Sequence, residues 1–168
     1  MQPFFINTIM IIIEDGTGLT NSNSYASVAA FDAYCSARKL TTALEASTSD
    51  KEAALIRATD YLDASYIFRS VTSQDSQALQ NPRFGEEALN PKLVTATIEL
   101  AILALARDLF ATPTRGVLSK EVAAGKVSSK TVFDPSEKSS DPFPAITKML
   151  RTLASRAGSS VQVGFLTR

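Results

Sequence analysis

The sequence predicts a mainly α fold with four helices, a β-hairpin before the last helix, and extended N- and C-terminal arms. Three observations support this prediction. Capping residues precede stretches with apolar residues every three or four positions, a loosely alternating stretch follows the third helix, and both chain ends lack helical periodicity. The 168 residues, 45% apolar and 20% charged, suit a single globular domain over residues 1–168.

The N-terminal part is predicted as an arm followed by a turn. Residues 1–13 form the apolar arm, which ends in a short strand at Ile11, Ile12 and Ile13. Residues 14–18 combine two acids with two glycines, a composition typical of a turn. They lack the Gly-Lys-Ser/Thr ending of a phosphate-binding P-loop, so we interpret them as a structural turn.

Two helices follow. Ser27 suits the N-cap of a helix over residues 28–38. Ser49 and Glu52 have the spacing of a capping box, which predicts a second helix ending near Asp63. Residues 41–48 are expected to form the loop between these helices.

Residues 70–88 are polar and rich in turn-forming residues. They are long for a structureless loop, which predicts either a surface excursion or part of an interface. Leu79, Pro82 and Phe84 are expected to pin this loop to the helical body.

The third helix completes the helical body, residues 28–110. Asn90 caps it, Pro91 occupies its first turn, and it is expected to run to Phe110. Its apolar stretch, residues 93–106, is too short to span a bilayer and contains Glu99, so it is predicted as a buried core helix with no membrane partner.

The C-terminal third is predicted as a hairpin over residues 117–133, a last helix over 143–157 and a C-terminal arm over 158–168. The arm alternates apolar and other residues from Val161 onwards. It either adds a strand within the domain or docks on another chain by β-augmentation, and the pattern leaves both open.

The residue types that are absent or rare exclude several classes of chemistry. There is no His, no Trp and a single Cys, Cys35. This excludes Ser-His-Asp triads, His metal ligands and Cys-rich zinc sites, so we expect no enzyme, no metal and no cofactor. The net charge of zero argues against a protein that mainly coats nucleic acid.

Two acidic features favour structural roles. Asp60 and Asp63 share a helix face, which is interpreted as a solvated surface rather than a cation site. Glu99 in an apolar helix needs a partner, and Arg57 or Arg107 is expected to form an ion pair with it in the core or at a subunit interface.

Aromatic residues near arginines offer a second interpretation. Tyr61, Tyr66 and Phe68 lie close in sequence to Arg57 and Arg69, a combination that can stack single-stranded bases. Tyr61 and Phe68 also suit core packing, which we favour.

Two motifs carry a family resemblance. EDGTGL at residues 14–19 and ALIRATDYLD at 54–63 resemble small tailed-phage and prophage proteins that are often labelled DnaT-like single-stranded-DNA-binding proteins. The resemblance covers about residues 10–110. A tryptophan of that family, expected near Phe68 and Gln80, is missing here.

The helix order and the hairpin also resemble the head-tail connector adaptors of tailed phages. That resemblance implies a connector-type adaptor domain in the virion neck, assembled in the host cytoplasm. It implies a ring, usually a dodecamer, that extends the DNA channel under the portal. Its partners would be the portal protein, the next neck or tail-completion protein, and double-stranded DNA that passes without sequence-specific binding.

Within this adaptor hypothesis, two groups of residues are assigned contacts. The C-terminal arm would dock on the portal or a neighbouring subunit through Val161, Val163, Phe165, Leu166 and Arg168. The hairpin would contact the channel or the next ring through Lys120, Lys126 and Lys130.

The alternative is a phage replication protein that binds single-stranded DNA. It predicts a basic groove with exposed aromatic side chains and a steep salt dependence. The charge distribution bears on both hypotheses: residues 1–111 hold eight basic and thirteen acidic residues, whereas residues 112–168 hold nine and four.

Overall fold

The computed structural model describes residues 11–111, 117–123, 128–133 and 141–157, and only the backbone of the two middle segments. This part of the chain contains five helices and four short strands, so the mainly α class is confirmed. The chain divides into two compact units, one of residues 1–109 and 145–168 and one of residues 110–144. The single connector-type domain stays a prediction.

The first two helices of the larger unit are short. Helix α1, Val28–Ala37, is capped as predicted: the Ser27 hydroxyl accepts the amide N–H of Ala30 at 3.0 Å. Helix α2, Thr41–Leu44, lies where a loop was expected. It is a single turn, too short to produce a periodic apolar pattern in the sequence.

Helix α3, Thr48–Ser65, begins before the predicted capping box. Its N-cap is Ser47, whose hydroxyl accepts the amide N–H of Asp50 at 3.1 Å and donates to the Asp50 carboxylate at 2.7 Å. Ser49 therefore lies inside the helix. Both serines have an acidic residue three positions later, and the earlier pair forms the cap.

Helix α4, Pro91–Ala104, packs along α3 and forms the centre of the larger unit. The Asn90 side chain caps it by accepting the amide N–H of Lys92 at 3.0 Å. It ends before the predicted Phe110, because the chain tightens into turns from Leu105 onwards. The core between the helices is mostly apolar. Its largest fully buried aliphatic and phenyl side chains are Phe31, Leu55, Leu62, Leu93, Leu100 and Leu150.

A two-stranded antiparallel sheet joins the end of α3 to the C-terminal part of the unit. Strand β1, Tyr66–Phe68, pairs with strand β4, Ala154–Arg156. Helix α5, Pro144–Leu150, therefore stops well short of the predicted residue 157, since the chain must turn back to reach β1. Three-residue strands are too short to show an alternating pattern in the sequence.

Two loops of the larger unit differ from expectation. The predicted strand at residues 11–13 is a single β-bridge from Ile13 to Ser24. Residues 70–88 contain no helix or strand, only a bridge between Thr72 and Arg83. Pro82 is buried as expected, but Phe84 is not pinned to the body: 73% of it is exposed.

The smaller unit contains the predicted hairpin, which is confirmed. Strand β2, Val117–Ala123, pairs antiparallel with strand β3, Ser128–Phe133, with Lys120 opposite Thr131 and Lys130 opposite Glu121. Among the described helices, none has both the length and the apolar character needed to cross a bilayer.

Two glycines with positive φ provide a test of the loop structure. Gly16 has φ of +99°, and a Cβ there would lie 2.9 Å from the Ala88 Cα, whereas Gly85 has φ of +86° and open space around it. Gly85→Ala should cost about 1–2 kcal/mol from the left-handed backbone alone. Gly16→Ala should cost about 2–5 kcal/mol, because the clash with backbone adds to the strain. Urea denaturation of both variants measures this difference, and equal costs would contradict the close approach of the two loops.

Candidate nucleic-acid interface

The docking residues assigned from the sequence are not tested by the structure. The hairpin lysines Lys120 and Lys130 belong to described strands, but only through their backbone. Their contacts and those of the C-terminal arm stay predictions. Outside the described residues lie Lys126, Val161, Val163, Phe165, Leu166 and Arg168.

The glycine-containing loop at residues 14–19 binds its own carboxylate. The Glu14 side chain is buried and accepts the amide N–H groups of Gly16, Gly18 and Leu19 at 3.1, 2.9 and 3.0 Å. It also accepts the Ser22 hydroxyl at 2.8 Å. The donors that a phosphate would need are thus already occupied, and the interpretation as a structural turn holds.

The sequence predicted a solvated face for Asp63, and this prediction is wrong. Asp63 lies at the centre of a largely buried hydrogen-bond network. Its carboxylate accepts the Tyr25 hydroxyl at 2.6 Å and the amide N–H of Gln80 at 3.0 Å. Burial raises the pKa of Asp63, although Tyr25, Gln80 and Arg83 oppose the rise. The pKa of Tyr25 is also raised, mainly by burial and secondly by the negative charge of Asp63. No local pattern in the sequence reveals this role, because Tyr25 and Gln80 lie far from Asp63 along the chain.

The predicted ion pair of Glu99 with Arg57 or Arg107 is wrong. Glu99 accepts a hydrogen bond from the Tyr34 hydroxyl, and the Arg38 guanidinium stacks 3.4 Å from the centre of the Tyr34 ring. Desolvation, then the hydrogen bond to Glu99, raises the pKa of Tyr34 to about 12. This cluster joins α1 to α4 and has a structural role.

The aromatic residues singled out from the sequence are buried. Tyr61, Tyr66 and Phe68 pack in the core, and the Tyr66 hydroxyl lies 2.8 Å from the Thr147 hydroxyl. They offer no free ring face for base stacking, which confirms the core interpretation. Of the two arginines in that group, Arg69 directly follows strand β1 and lines the depression described below, whereas Arg57 does not.

A β-turn presents the exposed aromatic ring that the sequence did not single out. Residues 83–86 form this turn, closed by a hydrogen bond from the Glu86 amide N–H to the Arg83 carbonyl at 2.9 Å. Gly85 at its third position has the positive φ that a type II turn requires. Phe84 therefore occupies the apex. The sequence signal was an aromatic residue followed by glycine in a polar loop.

Val71 extends this apolar surface. The Phe84 amide N–H donates to the Val71 carbonyl at 2.9 Å, and the neighbouring Thr72 and Arg83 form an antiparallel bridge. Val71 is therefore opposite Phe84, on the same side of the pair. Val71 is 67% exposed, so both apolar side chains of this pair face water.

Two arginines, Arg69 and Arg83, line a depression next to this turn, which has a volume of about 190 Å³. Arg83 is held in place: its Nη1 donates to the Ser70 carbonyl at 3.1 Å and its Nη2 to the Gln80 side-chain oxygen at 2.9 Å. Arg69 follows β1 and donates to the Arg151 carbonyl at 3.2 Å. Within the described part of the chain, neither Arg69 nor Arg151 forms an ion pair.

The lining of the depression is mixed in character. It is basic at Arg69 and Arg83, aromatic at Phe84, and acidic at Glu86. The remaining lining residues are polar or apolar: Ser70, Asn81, Asn90, Leu93, Thr152 and Leu153. The described residues contain no cluster of His, Cys, Asp and Glu that could hold a metal ion.

The raised pKa of Asp63 predicts a pH dependence of stability. A folded-state pKa above the ordinary value of 3.8 means that the folded protein holds this proton more tightly than the unfolded chain. Its contribution to stability is therefore present below pH 3.8 and is lost as the pH rises through the raised pKa.

The test compares the protein with Asp63→Asn by urea denaturation from pH 3.5 upwards. The free energy of unfolding of the unmodified protein, minus that of the variant, should fall as the pH rises. The subtraction removes the titration of all other groups. A difference that grows with pH would show that the hydrogen bonds to the carboxylate outweigh its burial.

Comparison with known proteins identifies the family. A sequence profile described as "Putative DnaT-like ssDNA binding protein" matches residues 9–168. No curated protein and no solved structure matches the chain. The description of the matched family names binding of single-stranded DNA and does not name a role in the phage neck. The predicted function as a head-tail adaptor in the virion is therefore wrong. Because the match covers nearly the whole chain, the protein belongs to the family of DnaT-like single-stranded-DNA-binding proteins.

Proposed function

We propose that this protein binds single-stranded DNA through the surface formed by Phe84, Arg69, Arg83 and Arg151. The observation that carries the proposal is the position of Phe84: a phenyl ring, 73% exposed, at the apex of a turn beside arginines. The family description supports the same function. Binding of single-stranded DNA, the alternative hypothesis drawn from the sequence, therefore replaces the head-tail adaptor hypothesis.

Phe84 provides the stacking element. A base has two flat faces that stack on an aromatic ring irrespective of sequence, and such contacts contribute about 1–3 kcal/mol per base. A single-stranded base has a free face, whereas a paired base inside a duplex does not. An exposed phenyl ring with Val71 opposite it is therefore suited to single strands.

The arginines provide the electrostatic element. Arg83 is fixed by two hydrogen bonds, so little side-chain entropy is lost when its guanidinium meets a phosphate. Arg69 and Arg151 are both exposed, and the Arg69 guanidinium donates to the backbone carbonyl of Arg151. Arginines beside an exposed aromatic ring match the alternation of base and phosphate along a strand.

Net charge is a poor guide to such a site. The chain is neutral as a whole, but residues 112–168 carry nine basic and four acidic residues. Charges farther apart than the Debye length, about 8 Å at physiological ionic strength, act almost independently. A local basic cluster can therefore bind phosphates on a neutral protein.

Other expectations from the sequence stay predictions. The family description mentions neither a ring nor a portal, and it is silent on catalysis and on location in a virion or host cell. The connector and portal-binding roles are wrong together with the adaptor function. The other expectations stay predictions: the absence of catalysis, a homo-oligomeric ring, neck-protein and duplex-DNA partners, a virion-neck location and a connector-type arrangement of the helices.

Phe84→Ala tests the stacking element. Loss of one stacked base should weaken binding of a labelled single-stranded oligonucleotide about 5- to 150-fold, the equivalent of about 1–3 kcal/mol. Fluorescence anisotropy at fixed salt measures this change. Phe84→Tyr keeps the ring and should bind as well as the unmodified protein, whereas Leu40→Ala removes an exposed apolar side chain that does not line the depression and should change nothing. Unchanged affinity of Phe84→Ala would refute the site.

Arg69→Ala tests the electrostatic element. Each lost phosphate contact should reduce the steepness of log K against log salt by about 0.7 for a single strand. Arg57→Ala is the matched control, because Arg57 is also an exposed arginine but lies on α3 outside the depression. Titrations at several salt concentrations give the two slopes. Equal slopes for the two variants would place the phosphate contacts elsewhere on the protein.

A further inference from the structure

We propose that the depression beside Phe84 accommodates one base of the bound strand, and that Glu86 makes this position prefer a base with an exocyclic amino group, such as cytosine, over thymine. This inference rests on the proposed function and assigns a base preference to the same site. The family description contains no such preference.

Glu86 is fixed at the turn that presents Phe84. Its amide N–H donates to the Arg83 carbonyl, and its Oε2 accepts the Arg83 amide N–H at 3.0 Å. This reciprocal pair holds the Glu86 carboxylate against the backbone of the turn that presents Phe84. Its other oxygen, Oε1, has no hydrogen-bond partner among the described residues. Glu86 is half-buried and lines the depression together with Phe84.

A carboxylate at this position determines which part of a nucleotide can lie beside it. It repels phosphate, so the strand backbone is directed towards the Arg69 guanidinium and the base towards Glu86. The two asparagines of the lining are engaged elsewhere. Asn90 caps α4, and Asn81 is buried against the Tyr25 hydroxyl.

The donor and acceptor pattern of the bases then gives the preference. An ionised carboxylate can only accept hydrogen bonds, and the N4 amino group of cytosine donates to it. Thymine carries the O4 acceptor at the position of that amino group, and this oxygen would face the Glu86 oxygen without a proton between them. A base without the amino group therefore leaves a half-buried acceptor unsatisfied and loses affinity.

The experiment measures binding of oligo(dC) and oligo(dT) of equal length by fluorescence anisotropy at one salt concentration and at neutral pH. The unmodified protein should bind oligo(dC) about tenfold more tightly or better, the loss expected for one hydrogen bond to a charged group. This comparison needs no variant, so it does not depend on whether any substitution disturbs the fold.

Glu86→Gln tests the residue itself. A glutamine oxygen can still accept the Arg83 amide N–H and keep the turn, while its NH₂ group can donate to thymine O4, so the ratio of the two affinities should approach one. Glu87→Gln is the matched control, because it removes the same charge from the exposed neighbour that does not line the depression. It should leave the ratio unchanged.

Three results would overturn the inference, and they are distinguishable. Equal affinities of the unmodified protein for the two oligonucleotides would refute the base preference and leave the proposed function intact. An equal gain of affinity for both in Glu86→Gln would show that Glu86 only repels phosphate. If neither oligonucleotide binds, the proposed function itself fails.

Discussion

The hydrogen bonds of the Asp63 carboxylate hold in place the loop that carries Phe84 and Arg83. This carboxylate lies near the end of α3 and binds the Tyr25 hydroxyl from the N-terminal loop and the Gln80 amide from the loop before α4. Gln80 in turn donates to the Asp63 carbonyl and accepts from the Arg83 guanidinium. A single largely buried acid thus fixes two long loops against one helix. Because its partners satisfy it only in this arrangement, loss of either loop contact would leave a charge in a poorly solvated place.

This network explains how the chain can expose Phe84. An aromatic ring in water forgoes about 1.5–3 kcal/mol of burial, so a flexible loop would fold it inwards. Here the loop has no such freedom: Pro82 is buried, Arg83 is held by the Ser70 carbonyl and by Gln80, and the turn places Phe84 outwards. The hydrogen bonds that link Asp63, Gln80 and Arg83 therefore hold outwards a ring that packing alone would hide.

Interactions between residues close in the chain could be predicted from the sequence, and interactions between distant residues could not. Ser27 and Asn90 act on amides two or three residues away, so their caps were visible in a local pattern. The pairing of Tyr66 with Arg156 and the bond from Tyr25 to Asp63 join residues far apart in the chain, and no periodicity encodes them. Asp63 looked solvated for that reason. Phe84 looked like an anchor because an apolar residue in a polar loop is usually buried, and only the turn geometry reveals the opposite.

The same distinction separates fold resemblance from function. The order of helices and the hairpin suggested a connector, yet the order of elements does not determine what a surface binds. Neutral net charge argued against nucleic acid, but it is a sum over the whole chain. Recognition is decided at the scale of a few ångströms, where Phe84 is an exposed ring and Arg69 and Arg83 line one depression. A small surface of this kind gives modest affinity per site. High affinity for a long strand would then require several bound copies or additional basic residues along the chain, and the excess of basic residues in 112–168 is where the sequence provides them.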